Sequence, residues 1–155
     1  MALKIGDNLP KFSLYNQFNN LIYPDKFKNR FLVIFFYPKN YTLGCTKEVC
    51  YFRDSYSELK NIETEVFGIS SDNIKNHANF AKKFNVNYNL LSDSEKKIRK
   101  LFDVPNNFFG LLPGRVTYIF NKNGKLLKTI NSQIDINSHI RIAKKTITEY
   151  KNNYE

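Results

Sequence analysis

Apolar residues fall in short runs separated by polar, turn-forming stretches, and their spacing predicts strands alternating with helices. Phe12-Ser13-Leu14 and Leu21-Ile22-Tyr23, divided by Asn-rich sequence, read as a short hairpin. Phe31 to Tyr37 is continuously apolar and ends at Pro38, the pattern of a strand buried on both faces of a largely parallel sheet. Thr42 can cap the next helix, with Cys45 in its first turn and Phe52, Tyr56 and Leu59 along its apolar stripe. Glu65 to Ser70 reads as a second buried strand. Asp72 or Asn73 caps a helix carrying Ile74, His77, Ala78, Phe80, Ala81 and Phe84, and Ser92 or Asp93 caps another through Ile98, Leu101 and Phe102. Val116 to Phe120 and Lys125 to Ile130 flank Asn121-Lys122-Asn123-Gly124, a hairpin whose Asn-Gly turn supplies positive φ angles. A last amphipathic helix runs from about Asn137 to Tyr150, leaving Lys151 to Glu155 loose. The order predicts an α/β protein with a sheet between helices.

Composition changes this picture little. With 155 residues, no internal repeat and no linker, one domain over residues 1–155 is expected, and 42% hydrophobic residues suffice for an ordinary core. The net charge of +10 admits a basic module that binds nucleic acid and uses its thiols as a redox sensor. The lysines are scattered, however, and the densest groups, Lys96-Lys97 with Arg99-Lys100 and Arg141 with Lys144-Lys145, read as solvated helix faces, so no specific nucleic-acid partner is expected. The longest apolar stretch is far too short to span a bilayer, Met1-Ala2-Leu3-Lys4 leads at once into fold-like sequence, and two cysteines make no disulfide framework. These features predict a soluble chain in a thiol-reducing compartment.

Those two cysteines carry the candidate chemistry. Cys45 and Cys50 lie in the stretch from Tyr37 to Cys50, directly after the apolar run, where the start of a helix favours a thiolate. Five residues along an intact helix separate two Cα atoms by about 8.7 Å, whereas a disulfide needs about 4.4–6.8 Å. A Cys45–Cys50 bond therefore requires local unwinding, which suggests a redox cycle with a conformational step. Cleaving an O–O bond needs an ionised sulfur, donors for the peroxide and leaving oxygen, and a dry pocket. Pro38 can wall off the sulfur, the Thr42 hydroxyl can hydrogen-bond to peroxide, and the N–H groups of Gly44 and Cys45 can face an oxyanion. A nearby cation is missing from the segment. Metal chemistry is not expected, because the cysteine spacing with only His77 and His139 elsewhere supplies no four-ligand zinc site. Both histidines read as structural. The chain has no Cys-x-x-Cys and no glycine-rich phosphate loop, so neither a disulfide reductase nor a nucleotide cofactor is indicated.

Pro38, Thr42 and Cys45 fit the Pro-x-x-x-Thr-x-x-Cys signature, and the sequence resembles the peroxiredoxins. Glu48 and Cys50 narrow the resemblance to the peroxiredoxin Q (bacterioferritin comigratory protein) group. It extends from Ile5-Gly6-Asp7 and Pro10 through Phe35 to Pro38, Gly68 to Asp72 and Leu90 to Asp93, as far as Gly110 to Tyr118, where the chain is most similar to cyanobacterial and chloroplast members. The resemblance implies a thioredoxin-like fold with a central mixed sheet, a peroxidatic Cys45, a resolving Cys50 that forms an intramolecular disulfide with it, and an active-site Arg115 that supplies the missing cation. It further implies that Thr42 and Arg115 orient hydrogen peroxide or an organic hydroperoxide, that Glu48 orders the arginine, and that thioredoxin or glutaredoxin returns the electrons. No cofactor is implied. A monomer in a bacterial cytoplasm or a plastid stroma is expected. Leu43 stands where the group usually has proline, which weakens helix initiation and eases unwinding.

Overall fold

The computed structural model describes residues 2–27, 29–107 and 112–155; Met1 and the Gly110-Leu111 pair lie outside the described residues. The apolar run forms β3 (Phe31–Phe36), preceded by the hairpin β1 (Leu14–Tyr15) and β2 (Leu21–Ile22), which is only two residues deep. After it come α1 (Leu43–Asn61), β4 (Thr64–Ser70), α2 (Ile74–Phe84), β5 (Asn89–Ser92), α3 (Lys97–Leu101), a small pair β6 (Asn106–Asn107) and β7 (Leu112–Pro113), then β8 (Val116–Phe120), β9 (Leu126–Asn131) and α4 (Asn137–Tyr154).

The main sheet has the order β5-β4-β3-β8-β9. β3 is its centre, parallel to β4 and antiparallel to β8, so the sheet is mixed, and the strand's continuous apolar run follows from burial on both faces. Alternation sorts its side chains. Phe31, Val33 and Phe35 join a core covered by α1, α2 and α4, while Leu32, Ile34 and Phe36 join a second core with Phe12, Ile98 and Phe102. Phe52 of α1 stacks on Phe35 at 4.5 Å between centroids and fixes that helix to the sheet.

Several expectations change. β5 and the β6–β7 pair had no strand expectation, and α4 continues to Tyr154, where Lys151 and Lys122 pair with Glu63 and Glu155. In the β8–β9 turn only Gly124 has positive φ; the Asn121 side chain instead accepts the N–H groups of Asn123 and Lys125. Asp93 serves α3, though not from the capping position, by accepting from the Ile98 and Arg99 N–H groups. Thr42 occupies the N-cap of α1 without capping it, because its hydroxyl donates to the Lys39 carbonyl at 2.9 Å. Among the described residues no helix is long and apolar enough to cross a membrane.

Candidate active site

The register of the sheet builds the site. Val116 pairs with Phe36, so antiparallel β8 brings the preceding residue, Arg115, to the end of β3 from which the loop to α1 departs. Cys45 is the third residue of α1 and is 1% exposed. No acidic residue occupies the first turn of the helix, and the Thr42 side chain does not take up its N–H groups, so the helix start remains an anion-favouring position.

Arg115 Nη2 donates to Cys45 Sγ at 3.4 Å, and Nη1 donates to Glu48 Oε1 at 2.8 Å. All three residues are buried. The Arg115 backbone N–H donates to the Gln133 side chain and its Nε to the Gln133 carbonyl, which fixes the guanidinium from the opposite side. Burial opposes the Arg115 charge, and Glu48 and Cys45 offset it. Burial pushes the Glu48 carboxyl up, against His139 and Arg115, which favour the carboxylate. Gly44 keeps the approach open, since a Cβ there would lie 3.0 Å from Ile136 Cδ1 and 3.1 Å from Arg115 Nη2.

Both thiols are free. Cys50 is half-buried on the same helix, and its Sγ accepts from Arg53 Nη1 at 3.4 Å. Burial raises the Cys50 thiol, and Arg53 works against that rise. Pro38 and Thr42 lie in the loop from β3 to α1, the first partly buried and the second exposed.

Two residues read from sequence as a structural histidine and a solvated charge belong to this neighbourhood. His139 of α4 is fully buried, with Nδ1 3.4 Å from Glu48 Oε2. Arg99 is partly buried, donates to the Gly114 carbonyl at 3.3 Å and lies close enough to Cys45 for the two charges to interact. No local motif marks either one. His77 is structural, as expected, and lies in a hydrogen-bonded network with Asn40.

A buried thiol at a helix start, gripped by a guanidinium and set on a thioredoxin-like mixed sheet, defines the class: a thiol-dependent peroxidase, an oxidoreductase. Residues 5–129 match the AhpC/TSA family, to which the chain belongs. It is 42% identical to "Peroxiredoxin Q, chloroplastic" of Sedum lineare over 94% of this chain and 78% of that protein. It is 44% identical to "Peroxiredoxin Q, chloroplastic" of Oryza sativa subsp. japonica over 87% of this chain, and spans 62% of that relative's length. The crystal structure of peroxidoxin BcpB from Mycobacterium tuberculosis superposes with a TM-score of 0.86 at 31% identity, over 95% of this chain and 97% of that one. A cysteine-to-serine variant of PrxQ from Xylella fastidiosa gives 0.85 at 25% identity, over 100% and 99%.

Proposed function

We propose that this chain acts as a single-domain, monomeric peroxidase that reduces hydrogen peroxide and organic hydroperoxides with electrons from thioredoxin or glutaredoxin, in antioxidant defence and redox homeostasis. The observation that carries the reading is the 3.4 Å contact of Arg115 with Cys45, backed by Glu48 at 2.8 Å. The Cys45 thiolate attacks one peroxide oxygen; an S–O bond forms, the O–O bond breaks, and the second oxygen leaves as an oxyanion that takes a proton to become water or an alcohol. Arg115 and the N–H groups of Gly44 and Cys45 stabilise that charge. Thr42 has given its hydrogen to Lys39, so its oxygen accepts the peroxide O–H. Pro38 shields the sulfur and Glu48 holds the arginine.

Cys50 then attacks the Cys45 sulfenic acid, forming a disulfide and releasing water, and two electrons with two protons from the reductant restore both thiols. A plastid stroma or a cytoplasm suits this cycle, and the chloroplast relatives support the former. A thioredoxin-coupled peroxide assay tests it. Cys45→Ser should abolish peroxide consumption, and Cys50→Ser should allow one oxidation without turnover. Undiminished activity in Cys45→Ser would refute the reading, as would salt-sensitive nanomolar binding of nucleic acid with no peroxide turnover.

A further inference from the structure

Among the described residues, Glu48 Oε2 is the buried side-chain oxygen left without a hydrogen-bond donor, while its twin Oε1 takes Arg115. Such a vacancy in the core is costly, more so for a carboxylate. Facing it at 3.4 Å is His139 Nδ1. The other ring nitrogen, Nε2, lies 2.8 Å from the Ser132 carbonyl, which can only accept, so Nε2 carries a hydrogen. Nδ1 also lies 2.6 Å from Thr117 Oγ1. In the neutral ring Nδ1 accepts the Thr117 hydroxyl and offers Glu48 only a lone pair. In the protonated ring Nδ1–H turns the vacancy into an ion pair.

Charge counting says when each form prevails. With Cys45 as a thiol, Arg115 and Glu48 cancel, Asp93 offsets the nearby Arg99, and a neutral His139 leaves the cluster balanced. With Cys45 as a thiolate the sum falls to minus one, and burying net charge is strongly unfavourable. A proton on His139 restores neutrality. The other neighbours of the ring, the Thr117 hydroxyl and the Ser132 carbonyl, carry no charge, and the pair between Arg141 of its own helix and Asp135, just before that helix, is exposed at the surface.

We propose that His139 is a positioning residue for the peroxidase reaction: it takes up a proton as Cys45 loses one, and so keeps Glu48 a carboxylate aligned on Arg115. This rests on the peroxidase reading above. When peroxide consumes the thiolate, the negative charge leaves with the departing oxygen and His139 gives its proton back to solvent, so no further reactant is needed.

The test leaves His139 in place. Nitrogen-15 NMR of the reduced full chain should show both His139 ring nitrogens protonated at pH values where Cys45 is a thiolate. In Cys45→Ser, which cannot ionise, the ring should be neutral over the same pH range, with hydrogen on Nε2 alone. Identical titrations in the two proteins would overturn the proposal. In a Cys50→Ser background, where Cys45 is the sole thiol, His139→Gln should slow alkylation of Cys45 at neutral pH several-fold, with recovery in alkali. An unchanged pH profile in a folded variant would also overturn it. Neither measurement uses peroxide turnover, so failure here is distinguishable from failure of the coupled assay.

Discussion

Protonating His77 should cost this protein much of its stability, because the ring has no place for a second hydrogen. Nε2 donates to the Leu91 carbonyl at 3.0 Å, and Nδ1 accepts from Asn40 Nδ2 at 2.9 Å. Asn40 in turn donates to Asn76 Oδ1 and accepts from the Tyr37 hydroxyl, so it cannot turn around to accommodate an imidazolium. Burial lowers the His77 pKa to about 4, with Asp72 and the Leu91 bond opposing. The unfolded chain takes up the same proton near pH ~6.5, so the gap of about 2.5 units corresponds to about 3 kcal/mol. The unfolded state binds the proton first on acidification. Full stability therefore holds above about pH 6.5, falls through the window and has lost this contribution below about pH 4. Glu48, raised by burial, acts in the opposite sense, so the comparison must isolate His77. Urea unfolding of the wild type and of His77→Gln between about pH 7 and pH 4 does so. The wild type should lose about 3 kcal/mol more than the variant across the window; parallel pH profiles would refute the argument. The outcome bears on the active site, since Asn40 belongs to the loop that presents Pro38 and Thr42.

Gly114→Ala would place a Cβ 1.8 Å from the Pro105 carbonyl oxygen, so the backbone beside Arg115 must move. We expect at least about a tenfold loss of peroxidase activity and about 2–4 kcal/mol of stability, read by the coupled assay and by denaturant titration; wild-type values in both would refute it. Arg53→Met removes the guanidinium that favours the Cys50 thiolate, and should slow formation of the disulfide several-fold at neutral pH, about 1 kcal/mol for a partly exposed charge. Trapping of the Cys45 sulfenic acid over time measures this, and a rate equal to or above the wild type would show that the Arg53 bond to the Phe84 carbonyl matters more.

Much of the architecture is legible in the chain because the decisive elements are strongly patterned. The run from Phe31 can be only a two-sided buried strand, and the Phe52 and Leu59 spacing fixes the inner face of α1. β5 offers only Leu90 and Leu91 between polar neighbours and needs its β4 partner to be a strand. The Thr42 hydroxyl had two possible partners, and the turn at Lys39 prevailed over the helix N–H groups. The site divides similarly. Cys45, Cys50 and Glu48 are close in sequence and readable together, whereas Arg115 comes from 70 residues away and was available only through the family resemblance. His139 comes from farther still, and an isolated histidine on a helix gives no sign that it faces a carboxylate.

The stack of Phe52 on Phe35 lies only two residues beyond Cys50. Joining the sulfurs demands that the beginning of α1 come undone, yet past the stack Leu59 also stays seated in the core. Melting therefore has a fixed terminus, and the freed stretch is a short leash of set length whose far end is bolted to the sheet. Such a leash can fold the second sulfur back onto the first at little entropic cost, and when the bond is reduced the helix need only regrow from an existing stem, avoiding the slow step of nucleation.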